Sequence, residues 1–178
     1  MSEADASLVQ RVLDGDRSAF EALMATHMDR VRAVAGSVVS DPEGVDDVVQ
    51  EAFIRAYRRI GQLADYRTFP AWLARIARNE AISWHRRRKR RAAVPLDSIP
   101  LLPDTSHDHD DDNGVDEERL AKFNLALGKL RPAYREILAL KYEAQLSYEE
   151  IAETLGTSMA NVEKKLYRAR QRLQKLME

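Results

Sequence analysis

The chain has 178 residues, no cysteine, 32% charged residues and a formal net charge of −1. That length allows one medium domain or two small ones, and the missing thiols exclude a disulfide framework and a thiolate zinc site. No apolar run approaches the ~18 residues of a membrane span, and MSEADASLVQ lacks the basic-then-apolar pattern of a signal peptide, so a cytoplasmic protein without membrane insertion is expected.

Taken in order, the apolar spacing is helical throughout, with no sustained alternation that would mark a strand. Leu8, Val9, Val12 and Leu13 make a first short stripe. Ser18-Ala-Phe-Glu21 reads as a capping box opening a helix with Phe20, Leu23, Met24, His27, Val31, Val34 and Val38 on one side. Ser40-Asp-Pro-Glu43 signals another start, with Pro42 where a missing N–H costs nothing. Its stripe runs Val45, Val48, Val49, Ala52, Phe53, Ala56, Tyr57 and Ile60, and Gly61 is expected to end it. Thr68 with Pro70 then starts a long helix that finishes in six consecutive cationic residues, Arg86–Arg91.

Residues 92–116 break the periodicity: they hold three of the six prolines and no basic residue, the composition of a linker. Leu120, Phe123, Leu127 and Leu130 resume a helical stripe, and Pro132 opens a helix through Ile137, Leu138 and Tyr142. Ser147-Tyr-Glu-Glu150 is a further capping box, Gly156 sits where a terminating glycine belongs, and Ser158 caps a last helix through Val162, Leu166, Ala169, Leu173 and Leu176. The expected fold is all-α: two small helical domains, residues 1–91 and 118–178, joined by a flexible acidic linker over 92–117.

The small net charge conceals segregated blocks. Residues 55–91 carry 12 basic and 2 acidic side chains, residues 92–118 carry none and 9, and residues 119–178 carry 12 and 7. Block charge speaks about partners rather than fold. Residues 146–173, LSYEEIAETLGTSMANVEKKLYRARQRL, have the cap, glycine turn and second cap of a helix-turn-helix. Opposite the apolar stripe of its second helix fall Lys164, Tyr167, Arg168 and Gln171, with Glu163 at the edge. These are side chains a recognition helix presents to a major groove. A solvated basic face on a plain hairpin is the bland reading, and the cap–glycine–cap spacing argues against it.

In the first domain, Arg75, Arg78, Asn79, Ile82, Arg86 and Lys89 share one sector of the long helix. Cations with nearby aromatics such as Tyr57, Tyr66, Phe69, Trp72 and Trp84 suit unstacked nucleic acid, although Trp84 reads as a packing residue. Glu80 falls in the apolar sector, and the pattern gives no account of it. The preceding helix shows an acidic patch that DNA would repel; a basic protein surface could take it, and a plain solvated face fits the residues equally well.

The segments DDVVQEAFIRAYRRI (46–60), FPAWLARIARNEAISWHRRRKR (69–90) and LRPAYREILALKYEAQLSYEEIAETLGTSMANVEKKLYRARQRL (130–173) resemble those of bacterial sigma-70-type sigma factors, in the extracytoplasmic function (ECF) group. The resemblance covers nearly the whole chain outside the linker and implies a transcription initiation factor with core RNA polymerase and promoter DNA as partners. It implies that Asp46, Asp47, Gln50, Glu51 and Arg55 dock the polymerase. It further implies that Tyr66, Phe69, Arg75, Arg78, Asn79, Arg86 and Lys89 serve minus-ten recognition and melting, with Asn79 at a position that contacts an extruded base. The loop from Gly61 to Phe69 would supply much of the base pocket. Lys141, Ser158, Glu163, Lys164, Tyr167 and Arg168 would serve the minus-thirty-five element. Glu163 departs from the Lys or Arg common there, which bears on the upstream sequence read. An anti-sigma factor as regulator is also implied. No catalytic residue, cofactor or metal is expected.

Two DNA elements about two turns apart lie ~70 Å from one another, and a 25-residue tether reaches roughly 80–90 Å. A flexible tether cannot fix that spacing, so a larger scaffold is required. Two other readings fit only parts of the sequence. A stand-alone helix-turn-helix regulator would leave the first domain idle. A metal enzyme built on HDHDDDN (His107–Asn113) would place its ligands in a proline-rich tether with nothing to support them.

Overall fold

The computed structural model describes residues 3–92 and 117–178, and the regular structure there is entirely helical. Among the described residues the helices are α1 (Glu3–Leu13), α2 (Arg17–Gly36), α3 (Pro42–Arg59), α4 (Phe69–Ala92), α5 (Glu117–Lys129), α6 (Pro132–Tyr142), α7 (Tyr148–Leu155) and α8 (Met159–Met177). Single 3-10 turns at Ile60–Gln62 and Tyr66–Thr68 bridge α3 to α4. The expected tether lies outside the described residues except at its ends, where Ala92 belongs to α4 and Glu117 to α5.

Most helix starts follow the local chemistry. Pro42 and Pro132 sit in the first turns of α3 and α6, where no intrahelical N–H bond is lost. The α7 capping box is complete: Ser147 Oγ accepts from the Glu150 amide at 3.1 Å, and Glu150 Oε2 accepts from the Ser147 amide at 2.7 Å. Three expectations shift. The cap of α2 is Asp16, whose Oδ1 accepts from the Ser18 and Ala19 amides and the Ser18 hydroxyl. The hydroxyl expected to cap is therefore itself a donor to the cap. Gly61 lies inside a 3-10 turn rather than ending α3. Thr68 closes the second such turn, its hydroxyl donating to the Asp65 carbonyl at 2.7 Å, and α4 begins one residue later.

In the first lobe α2, α3 and α4 pack on one another, and α1 lies against α2. Leu23, Val31, Val34, Ala52, Phe69 and Leu73 are fully buried or nearly so; each large apolar side chain withdrawn from water contributes roughly 1.5–3 kcal/mol. The centre is α4, which touches α1, α2, α3 and α7. Its buried Ala71, Ala74, Ala77 and Ala81 leave room for neighbours on several sides. Trp84 packs over Gly44 so closely that a Cβ there would lie 2.6 Å from the indole Cη2. In the second lobe Ile137, Leu140, Leu146, Ile151, Val162 and Leu166 form the core.

Sequence patterning did not foresee that the two lobes touch. Helix α7 packs on α4 and α6 on α2. Arg78 Nε donates to Glu136 Oε1 at 2.7 Å, and Arg30 Nε to the Ala144 carbonyl at 3.0 Å. A looser pair joins Arg75 to Glu153 at 3.9 Å.

Candidate nucleic-acid interface

The second lobe presents a fully formed helix-turn-helix. Gly156 takes the left-handed conformation (φ +62°) that ends α7, and Ser158 Oγ accepts from the Asn161 amide to start α8. Tyr148 braces the pair: its hydroxyl accepts from Arg170 Nη2 at 3.2 Å, while Lys141 Nζ lies 5.0 Å from its ring centroid. With Val162, Leu166 and Ala169 buried, Glu163, Lys164, Tyr167 and Arg168 are all exposed, Tyr167 at 65%. Lys141 is differently engaged. Its ammonium donates to the Leu146 carbonyl at 3.1 Å, inside the turn, which leaves two of its three N–H donors for other partners.

In the first lobe the long helix splits its cations. Asn79, Arg86 and Lys89 are exposed, whereas Arg78 is 22% exposed and held by Glu136, itself 13% exposed. Arg88 pairs with Asp41 at 2.6 Å and lies 5.2 Å from the Trp84 ring centroid. Tyr66 is partly exposed. With Arg67, Asp65, Ala64, Ala6 and Glu3 it lines an open depression of about 540 Å³. Arg67 and Asp65 form a two-pronged pair at 3.0 and 3.1 Å; its hydrogen bonds hold the Asp65 carboxyl below its ordinary range.

Phe69 departs from expectation. It is fully buried, its ring centroid 5.5 Å from that of His27 and 5.9 Å from that of Trp72. It therefore cannot stack on an unpaired base in this arrangement; it supports the loop from beneath. His27 is buried as well, its Nε2 2.9 Å from Asp5 Oδ1, so it ties α2 to α1.

On α3, Asp46, Asp47 and Gln50 are exposed, and Glu51 and Arg55 are half-exposed. Asp46 pairs with Arg32 at 2.6 Å. Arg55 Nε donates to Glu51 Oε1 at 2.8 Å, and its Nη1 lies 2.7 Å from Oε1 of Glu80 on α4. The hydrogen bond to Glu51, and secondarily the charges of Glu80 and Glu51, raise the Arg55 pKa above the ordinary arginine value. Glu80, unaccounted for by periodicity, thus has a partner that only tertiary packing supplies.

Patterning also missed a groove of about 880 Å³ in the second lobe, lined in part by Phe123, Leu127, Leu138, Tyr142, Leu173 and Met177. Its residues count as core on their own stripes. No described helix is long and apolar enough to cross a membrane. Among the described residues no cluster of three or more His, Asp or Glu suits a metal ion; His107–Asn113 lie outside them.

Residues 23–91 match the family model Sigma-70 region 2, and residues 120–173 match Sigma-70, region 4. The RNA polymerase sigma-E factor of Streptomyces avermitilis is 33% identical over 166 residues, covering 92% of this chain and 88% of that protein. The ECF RNA polymerase sigma factor SigW of Bacillus subtilis is 29% identical, covering 94% and 93%. Among solved structures, the sigma factor RpoE of Bartonella quintana, crystallised with the anti-sigma factor NepR, superimposes with a TM-score of 0.64 at 27% identity, over 89% of this chain and 96% of that one. The chain belongs to the sigma-70 family of RNA polymerase sigma factors, in its ECF group, and is a transcription initiation factor.

Proposed function

We propose that the chain docks core RNA polymerase through α3, captures unpaired minus-ten bases along α4 and the 61–69 loop, and reads the minus-thirty-five duplex with α8. The observation that carries this reading is the pairing, in one chain, of two cationic helices with different company. On α8, Lys164, Tyr167 and Arg168 stand exposed on a capped helix-turn-helix, suited to groove edges and phosphates. On α4, exposed Asn79 shares a helix sector with Arg75, Arg78 and Arg86, suited to a base taken out of the stack. The exposed Asp46 and Asp47, with half-exposed Glu51, supply the acidic complement for a basic polymerase surface, and exposed Gln50 adds an amide able to hydrogen-bond beside them.

The arrangement of the lobes adds a step. Arg78 is held by Glu136 in a largely buried pair, so the long helix withholds this cation from DNA while the second lobe rests on it; Arg75 faces Glu153 more loosely. Elements ~70 Å apart likewise require the lobes to part, with polymerase holding them open. A relative of the same family is bound by an anti-sigma factor, and control of this chain by such a protein is part of the proposal.

Gel shifts with promoter libraries, with and without core polymerase, test the reading. A specific shifted complex is expected only when polymerase is present. Tight promoter binding by the chain alone would instead favour a stand-alone helix-turn-helix regulator.

A further inference from the structure

Resting on the reading of α3 as the polymerase-docking face, we infer that Glu80 is a positioning residue for that face, acting through Arg55 from inside the lobe. Glu80 lies on α4 beside Asn79, its side chain only 4% exposed. Its Oε1 meets Arg55 Nη1 at 2.7 Å, and its Oε2 has no hydrogen-bond partner among the described residues. A buried carboxylate with one oxygen unanswered is a net burden on folding, because its desolvation is only partly recovered by the single pair. Stability alone gives no reason for it; an apolar side chain of similar volume would serve the core better.

The geometry supplies another reason. Arg55 and Glu51 are 39% and 40% exposed, and a surface pair one helical turn apart is ordinarily mobile and weak. Here the guanidinium is gripped on two edges, Nε by Glu51 and Nη1 by Glu80. Arg55 is thereby fixed in one orientation, and Glu51 is fixed with it. The charge count matters equally. Arg55 alone would neutralise Glu51 and erase an acidic position from the docking face. With Glu80 beneath, the trio carries a net −1 and Glu51 still presents negative charge outward. Glu80 therefore sets both the aim and the sign of the contact, and links the docking helix α3 to the helix that carries Asn79.

The test uses the full chain and purified core polymerase, with the dissociation constant measured at several salt concentrations. Glu80→Gln keeps the shape and removes the charge; Glu80→Leu also removes the buried polar atoms. Both variants are expected to weaken polymerase binding roughly tenfold, the factor that follows when a polar partner worth about 1.4 kcal/mol is lost. Both should flatten the salt dependence, and Glu80→Leu should not lower the melting temperature. Unchanged affinity in Glu80→Gln overturns the inference. So does a Glu80→Leu variant whose affinity loss is matched by lost folded fraction while Glu80→Gln binds normally, since that marks a purely structural role. Asp47→Lys, exposed and outside the trio, separates the inference from the reading beneath it. If Asp47→Lys binds polymerase normally, the assignment of α3 as docking face is wrong. If Asp47→Lys fails to bind while Glu80→Gln is unaffected, only the role of Glu80 is wrong.

Discussion

Glu136→Ala is expected to loosen the second lobe from the first. Arg78 Nε and Glu136 Oε1 are 2.7 Å apart, with side chains 22% and 13% exposed, so the pair is largely shielded from water. A hydrogen bond to a charged group in such a setting contributes about 1.5–3 kcal/mol. Among the described residues the lobes are also joined by the Arg30–Ala144 carbonyl bond and the long Arg75–Glu153 pair; an exposed pair like the latter contributes ~0–1 kcal/mol. Losing the Glu136 carboxylate should thus shift the equilibrium from closed towards open by roughly 10- to 150-fold. The lower figure is favoured because the freed guanidinium can turn into water. The chain has no cysteine, so dyes can be attached through Ala25→Cys on α2 and Arg172→Cys on α8, both exposed positions. Energy transfer between them should fall in Glu136→Ala, and affinity of the free chain for single-stranded minus-ten DNA should rise as Arg78 becomes available. Unchanged transfer together with unchanged DNA affinity would refute the idea that this pair holds the lobes together.

Asn79→Ala is expected to slow open-complex formation, read by single-base reactivity of the melted strand, while Lys164→Ala mainly weakens closed binding by about 1–3 kcal/mol; equal losses at both steps would count against the division of labour. Gly156→Ala should lower stability by about 1–2 kcal/mol, because φ is +62° and nothing lies within 4 Å of the added methyl, leaving the left-handed backbone as the sole cost; thermal melting checks this. The Asp16 carboxyl is lowered from 3.8 to about 2, chiefly by the Ser18 hydroxyl and then by Arg11. A depressed folded-state pKa gives stability present above the ordinary value and lost as pH falls. Stability should decline from about pH 4 towards pH 2, less so in Asp16→Asn, and an NMR titration should place the Asp16 midpoint near 2.

What could be read in advance was whatever short-range chemistry decides. Ser147, Gly156 and Ser158 define the helix-turn-helix within a dozen residues, and each does the work its type and position imply. The exposed face of α8 follows from the spacing of Val162, Leu166 and Ala169. Local rules failed where two of them competed. Ser18 and Glu21 have capping-box spacing, yet Asp16 takes the amides first. They failed again where burial depends on another element. An aromatic beside a basic helix can stack on a base or fill a core, and Phe69 fills the core because α2 brings His27 against it. Glu80 looked misplaced until α3 supplied Arg55 from 25 positions away. The Arg78–Glu136 contact spans 58 residues and joins two lobes, so no helical period could announce it.

Run-off transcription with purified core polymerase, the full chain and a promoter library is the most direct measurement of the central claim. The account predicts transcripts that start at defined promoters only when chain and polymerase are both present, and that vanish when the α8 face or the Asn79 sector is substituted. A chain that leaves core polymerase unable to start at any defined promoter, yet retains a specific grip on duplex DNA by itself, would contradict it.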